Sequence, residues 1–175
     1  MKRDTINPTS LAGAMAIMVL AGTPMRLHAS GNVSDITPGV LPDKWLNGGP
    51  NCAELPQDFQ IHEYNPDFVI LRQSGCVHYE KPFLFLIFGR SKVLLLDTGA
   101  GNDPNTGRNP DVAGAVRFVI KNWLARNNQS AIHLVVTHLH SHLDHVYGDP
   151  QFIGVPNTTF VPPGDVGVLQ RFFGL

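Results

Sequence analysis

The chain has 175 residues, of which 43% are hydrophobic and 15% are charged, with a formal net charge of -1. This length suffices for one domain or most of one, and the composition is that of a globular protein. The nearly neutral charge excludes a basic surface of the kind that binds nucleic acid. We therefore expect a small-molecule substrate as the partner, while the composition leaves the oligomeric state open.

The first 29 residues have the features of a signal peptide. Lys2 and Arg3 give a positive start, residues 11–22 form a run of apolar and small residues, and Ala29 is a small residue at the expected cleavage point. Such a run is shorter than the roughly 20 residues that span a bilayer. We predict cleavage after Ala29, no stable membrane insertion, and a periplasmic or secreted mature protein. A membrane-tethered or buried N-terminal helix is the alternative.

Residues 30–66 are interpreted as an N-terminal arm, because most of this segment is rich in Pro, Gly, Asn and Asp and shows little periodicity. The two cysteines are Cys52, in this arm, and Cys76. An exported chain with an even number of cysteines can form one disulfide. Two unpaired buried thiols are the other interpretation, since the sequence does not show whether the Cα atoms come within bridging distance.

From residue 67 onward, short apolar runs predict β-strands. The runs cover residues 68–71, 83–88 and 92–96, and the last two are joined by a Gly-Arg-Ser turn that indicates a hairpin. Further along the chain, residues 132–137 predict a buried strand and residues 159–161 a short one.

A helix is predicted between the hairpin and the buried strand. Asn109 suits the N-cap, Pro110 the first helical position, and Asp111 the positive end of the helix dipole. Apolar residues then recur at helical spacing over residues 112–123, which gives one buried face. A last short helix is predicted at residues 165–173. Strands, helix and strand in this order indicate an α/β layer architecture.

Four of the eight histidines lie within residues 138–145, directly after the predicted buried strand. The centre of this cluster is His-x-His-x-Asp-His, formed by His140, His142, Asp144 and His145. Alternate residues of an extended chain project to the same side, so His140 and His142 can reach one metal ion. Asp144 and His145 can reach a second position after a turn. Imidazole and carboxylate suit Zn²⁺, with Fe²⁺ or Mn²⁺ as alternatives, and we predict one or two ions.

The cluster is preceded by Leu-Leu-Leu-Asp-Thr-Gly at residues 94–99, and together these motifs resemble the metallo-β-lactamase superfamily. The signature of that family is a strand ending in Asp-Thr-Gly, a helix, and a strand ending in His-x-His-x-Asp-His. The resemblance covers residues 67–152 and implies an α/β (α+β) fold with a mixed sheet and flanking helices. Residues 67–175 would be the first half of an αββα sandwich, truncated at the C-terminus.

The resemblance also implies a role for each motif residue. His140 and His142 match the ligands of a first metal ion, and Asp144 and His145 match the ligands of a second. Asp144 additionally matches the residue that orients or deprotonates the nucleophilic water, so it is the expected catalytic residue. Asp97 matches an aspartate that supports the ligand loop. The implied activity is hydrolysis of an ester, lactone, thioester or β-lactam by metal-bound hydroxide.

The chain departs from the family pattern in two respects. No histidine follows His145 to match the family's downstream ligands, and Tyr147-Gly148 stands where the family usually has two glycines. We therefore expect an incomplete fragment that binds metal weakly, with a short protein that dimerises as the alternative. A mononuclear iron oxygenase of the same superfamily and a non-catalytic fragment are the competing functions. His138 lies outside the pattern and is expected to be structural.

Overall fold

The computed structural model describes residues 38–101, 103 and 107–164. The predicted signal peptide, the first residues of the predicted arm and the predicted helix at 165–173 lie outside these residues. Within the described part of the chain, no helix is long and apolar enough to cross a membrane.

The fold is α+β and is built on one mixed six-stranded sheet. The strands lie in the sheet in chain order: β1 (Phe59–Asn65), β2 (Phe68–Gln73), β3 (Phe83–Phe88), β4 (Lys92–Leu96), β5 (His133–Thr137) and β6 (Thr158–Phe160). The first four strands pair antiparallel, whereas β4, β5 and β6 pair parallel. The predicted strands at 68–71, 83–88, 92–96, 132–137 and 159–161 are thus present, with small shifts at their ends.

Helix α1 (Val112–Arg126) connects β4 to β5, as a parallel strand pair requires a crossover. Its apolar stripe is buried against one face of the sheet, as the helical spacing predicts. The core consists mainly of branched side chains from both layers, including Leu71, Leu84, Leu86, Leu95, Val112, Val116, Val119 and Val136. A second, very short helix, α2 (Leu143–Val146), follows β5.

The predicted N-cap of α1 is wrong by two residues. Asp111 is the N-cap, and its carboxylate accepts a hydrogen bond from the Gly114 amide at 2.7 Å. Asn109 has a different partner, since its side-chain oxygen accepts a hydrogen bond from the Tyr147 hydroxyl at 2.6 Å. A carboxylate at the cap also interacts favourably with the positive end of the helix.

Part of the predicted arm belongs to the sheet, because residues 59–65 form the edge strand β1. Ahead of this strand the arm crosses the face of the sheet that α1 does not cover. The Trp45 ring lies 5.0 Å from that of Phe83. The Leu46 amide donates to the Gln60 side chain at 2.6 Å. Half-buried aromatic residues on this face are therefore partly covered by the arm.

Cys52 and Cys76 form a disulfide, with Cα atoms 5.3 Å apart. The bridge joins a 3₁₀ turn of the arm (Cys52–Glu54) to the loop between β2 and β3. This pairing decides between the two interpretations left open by the sequence. A disulfide is compatible with an extracellular location, because such bonds persist in oxidising compartments.

Candidate metal centre

The candidate site lies at one edge of the sheet, where the carboxyl ends of β4 and β5 meet. The two strands are parallel, and Leu96 at the end of β4 is paired with Thr137 at the end of β5. The chain leaves β4 as Asp97-Thr98, and the Asp97 amide donates to the Thr137 carbonyl at 2.8 Å. The Asp-Thr-Gly motif and the histidine cluster therefore begin side by side.

Three of the four predicted ligands come together in one group. His140, Asp144 and His145 each place a ligand atom within 4.8 Å of the others. Within this group, His145 Nε2 lies 3.1 Å from Asp144 Oδ2. The rings of His140 and His145 have centroids 4.0 Å apart. The side chains of Asp144 and His145 are mostly buried, and His140 is exposed.

The turn into α2 explains this grouping. His142 is the residue before the helix, and its carbonyl accepts a hydrogen bond from the His145 amide at 2.9 Å. This turn brings His145 back beneath His140. His142 is exposed, with its ring 4.5 Å from that of His140, and is not a member of the three-residue group. The three-residue group therefore leaves out His142, and the predicted pairs His140–His142 and Asp144–His145 remain a prediction of the sequence.

Asp97 is fully buried behind this group. Its Oδ1 accepts a hydrogen bond from the Leu139 amide at 2.8 Å, which fixes the start of the ligand loop. Its Oδ2 lies 2.8 Å from His145 Nδ1, but the two buried atoms are not aligned for a hydrogen bond, and neither has another partner within residues 38–101, 103 and 107–164. A carboxylate beside the outer nitrogen of a ligating histidine fixes the tautomer that leaves the inner nitrogen free for a metal.

The backbone of Asp97 is in the left-handed region, with φ of 68°. Residues other than glycine adopt this conformation rarely, although Asp and Asn tolerate it best. Such conformations tend to occur where a site depends on an exact backbone path. Here it turns the chain out of β4 so that both carboxylate oxygens face the ligand loop.

His138 has a fully buried side chain and is not a member of the three-residue group. Its Nε2 lies 2.8 Å from Asp149 Oδ1, and Asp149 Oδ1 also accepts a hydrogen bond from the Thr98 hydroxyl at 2.7 Å. The structural role expected for His138 agrees with this position. Sequence reasoning named Thr98 only as part of the Asp-Thr-Gly motif and missed Asp149, because their contacts depend on the tertiary fold.

A cavity of about 420 Å³ opens beside the candidate ligands. Its walls come from the loop after Cys76 and from the ligand loop: His78, Tyr79, Glu80, Ser141, His142, Leu143 and Asp144. The negative charge of Glu80 is the main cause of a raised pKa at the Tyr79 phenol. The disulfide anchors this wall, and the Tyr79 amide donates to Asp103 at 3.3 Å.

The donor set of the group fits a divalent metal ion. A tetrahedral Zn²⁺ with ligands at about 2.0–2.2 Å holds its ligand atoms about 3.4 Å apart. His145 Nε2 and Asp144 Oδ2 lie slightly closer than this, at 3.1 Å. His140 is exposed and free to close onto the same ion. Two imidazoles and one carboxylate leave a fourth position open, as in catalytic rather than structural zinc sites.

No family model matches the chain, and no curated protein matches it. Among solved structures, MIM-2 metallo-β-lactamase is similar at 19% identity and a TM-score of 0.32, with 60% of this chain and 33% of that chain covered. DIM-1 metallo-β-lactamase is similar at 13% identity and a TM-score of 0.35, with 67% of this chain and 48% of that chain covered. The chain thus spans between a third and a half of the length of these structures.

Proposed function

We propose that this chain is a metal-dependent hydrolase of the metallo-β-lactamase superfamily, with one Zn²⁺ held by His140, Asp144 and His145. The observation that carries the proposal is the convergence of these three ligand atoms within 4.8 Å, at a strand end and against a buried carboxylate. A solvated surface loop rich in histidine would not place a fully buried Asp97 behind one of its rings. The sequence motif and this geometry support the same site.

Each residue of the site has a defined task in this proposal. A divalent ion held by His140, Asp144 and His145 would supply a hydroxide nucleophile at neutral pH and would polarise a carbonyl oxygen. The Asp97 carboxylate, 2.8 Å from His145 Nδ1, favours the tautomer with the proton on Nδ1, which keeps Nε2 available as a ligand. Asp144 belongs to the group and also lines the cavity, so we assign its second oxygen the role of orienting a water molecule and accepting its proton.

The substrate is proposed to be a carbonyl compound of the ester, lactone, thioester or β-lactam class. The cavity beside Asp144 is large enough for a small acyl group, since ligand pockets have volumes of about 300–1,000 Å³. Tyr79 lines the same cavity, and its hydroxyl donates a hydrogen bond to Glu80 Oε1 at 3.3 Å. We propose that a substrate oxygen would replace Glu80 as the acceptor of this hydrogen bond.

We also propose that the protein works in the periplasm or outside the cell, after cleavage following Ala29. The Cys52–Cys76 disulfide supports this location, because cytosolic reductants keep most thiols unpaired. Mass spectrometry of the exported protein tests the cleavage site. The expected N-terminus is Ser30, and soluble protein that retains Met1 would contradict the proposal.

The metal site is tested by zinc titration of the purified chain against a chromophoric chelator. The lack of a histidine after His145 predicts weak binding, whereas three grouped donors would suffice for one ion. We therefore expect one Zn²⁺ per chain, with binding weakened more than tenfold in His145→Ala and Asp144→Ala, since each removes one of three ligands. His133→Ala is the matched control, because His133 begins β5 at the end opposite to the ligand loop and forms hydrogen bonds with Asn157 and Thr159. Equal losses in the control and the ligand variants would overturn the assignment.

Activity is tested with a panel of one ester, one lactone, one thioester and one β-lactam. We expect zinc-dependent hydrolysis of at least one of them, abolished by a chelator and by His145→Ala and retained in His133→Ala. A chain that binds one zinc ion but hydrolyses none of these substrates would refute the hydrolase proposal and leave the metal site standing.

A further inference from the structure

We propose that Thr98, Asp149 and His138 form a positioning cluster that fixes the metal-ligand loop from its buried side. None of the three is a ligand in the proposed site, and the inference rests on the function proposed above. Their contacts tie together the end of β4, the start of the ligand loop and the segment after α2. The cluster is thereby a determinant of metal affinity.

Thr98 holds the loop at His145, the central residue of the candidate site. The Thr98 amide donates to the His145 carbonyl at 2.8 Å. The Thr98 hydroxyl lies 3.2 Å from the same carbonyl and 2.7 Å from Asp149 Oδ1. A hydroxyl has one hydrogen to donate. The shorter contact to a charged acceptor takes it, so Thr98 uses its amide for His145 and its hydroxyl for Asp149.

Asp149 connects Thr98 to His138. Its Oδ1 receives the Thr98 hydroxyl and also lies 2.8 Å from His138 Nε2. A carboxylate only accepts hydrogen bonds, so His138 carries a proton on Nε2 in this contact. His138 Nδ1 is buried and has no hydrogen-bond partner among the residues that the structure describes. A buried nitrogen left unpaired opposes folding, so this side chain is a poor choice for stability alone, and its contact with Asp149 accounts for its presence.

The cluster closes the ligand loop at both ends. His138 begins the segment, Asp149 ends it, and the three candidate ligands lie between them. Gly148 shows how closely the returning chain approaches β4, since a Cβ atom there would lie 2.5 Å from the Thr98 carbonyl oxygen. Holding both ends of a short loop restricts the orientations of the side chains within it, and such preorganisation is what a metal site needs for tight binding.

Paired substitutions at two positions test this role. Asp149→Ala removes the acceptor, whereas Asp149→Asn keeps an oxygen at the same place. Thr98→Val removes the hydroxyl at constant volume, whereas Thr98→Ser retains it. The chain is titrated with Co²⁺ alone, because its visible absorption reports the geometry around the ion as well as the affinity. Hydrogen exchange of the Thr98 amide in metal-free protein reports the contact with His145 independently of metal.

We expect Asp149→Ala and Thr98→Val to weaken Co²⁺ binding by about 10- to 100-fold, as loss of partners behind metal ligands typically does. Both should alter the absorption spectrum and accelerate exchange of the Thr98 amide. Asp149→Asn and Thr98→Ser should restore most of the affinity and the wild-type spectrum. His133→Gln disturbs a hydrogen-bonded histidine at the start of β5, away from the cluster. It should lower the free energy of unfolding without changing the absorption spectrum.

Two outcomes would overturn the positioning role while the proposed metal site stands: unchanged affinity and spectrum in Asp149→Ala and Thr98→Val, or equal losses in these variants and in His133→Gln. A wild-type chain that binds no Co²⁺ would overturn the proposed function itself, and with it the role of the cluster. The wild-type titration therefore distinguishes the two failures.

Discussion

Replacing Asp97 with asparagine should weaken metal binding while leaving the fold intact. Asparagine tolerates the left-handed backbone found here, with φ of 68°. Its oxygen can still accept the hydrogen bond from Leu139. Its amide group would then face His145 Nδ1, and because that amide is a donor, the nitrogen opposite must act as an acceptor. The imidazole proton would move to Nε2, the nitrogen that lies 3.1 Å from Asp144.

The size of the effect follows from this change of tautomer. Substitution of a partner behind a metal-ligating histidine typically costs about 10- to 100-fold in affinity, which corresponds to about 1.4–2.7 kcal/mol. The assay is zinc competition with a chromophoric chelator, together with ¹⁵N NMR of the imidazoles to identify the tautomer of His145. Asp67→Asn is the control, because Asp67 accepts a hydrogen bond from Trp123 at 2.9 Å and loses the same charge away from the site. Equal zinc affinity in the two variants would refute the role given to Asp97.

Three further predictions concern the parts of the chain around the site. Replacing both Cys52 and Cys76 with serine should lower the free energy of unfolding by about 3.5 kcal/mol, which is the value of the chain-entropy relation for a separation of 24 residues. Urea titration checks this, and a free energy of unfolding that neither the double substitution nor a reductant lowers would contradict it. Glu80→Gln should lower the pKa of Tyr79, because the Glu80 charge is the main cause of its raised pKa; ¹³C NMR of the ring in alkaline solution should show the earlier midpoint, and an unmoved midpoint would exclude this cause. Burial raises the pKa of Asp58 despite Arg108, so the native chain binds this proton more tightly than the unfolded chain and the charged form opposes folding. Asp58→Asn should therefore melt at a higher temperature than wild type at neutral pH, and the advantage should shrink as the pH falls through the carboxyl range; a constant difference would count against it.

The central strands and α1 could be predicted from sequence because their burial imposes a simple pattern. Residues 83–88 and 92–96 are apolar runs joined by a turn, and residues 112–123 repeat at helical spacing. Strand β1 lacks such a pattern, since an edge strand is only partly buried and accommodates Gln60, His62 and Glu63. Its place in the sheet depends on pairing with β2 rather than on its own composition.

The candidate ligands could be named from sequence, but their grouping could not. Their identity is a local property of the motif, whereas the grouping depends on where the backbone turns between His140 and His145. The contacts that support the ligands are even harder to predict from sequence, because Thr98 and Asp149 are 51 residues apart and meet only when β4 and β5 pair. Hydrogen bonds between residues so far apart in the sequence leave no periodic pattern of amino acids from which to predict them.

Comparison of His140→Ala with His142→Ala separates the sequence-based pairing from the arrangement in the structure. The spacing of the two histidines predicts that both bind one ion, and equal losses of affinity would follow. That spacing rule holds for an extended chain, whereas here a helical turn begins directly after His142 and folds His145 back toward His140. His140 belongs to the group with Asp144 and His145, and His142 does not.

Zinc competition should therefore show a loss of at least tenfold for His140→Ala, as expected when a three-ligand site loses one ligand, and a much smaller loss for His142→Ala. Both histidines are exposed, so neither substitution should disturb folding, and thermal melting of the metal-free variants checks this. Equal losses would mean that the loop rearranges around the ion to bring His142 into the site, and the pairing predicted by the spacing would then replace the three-residue group.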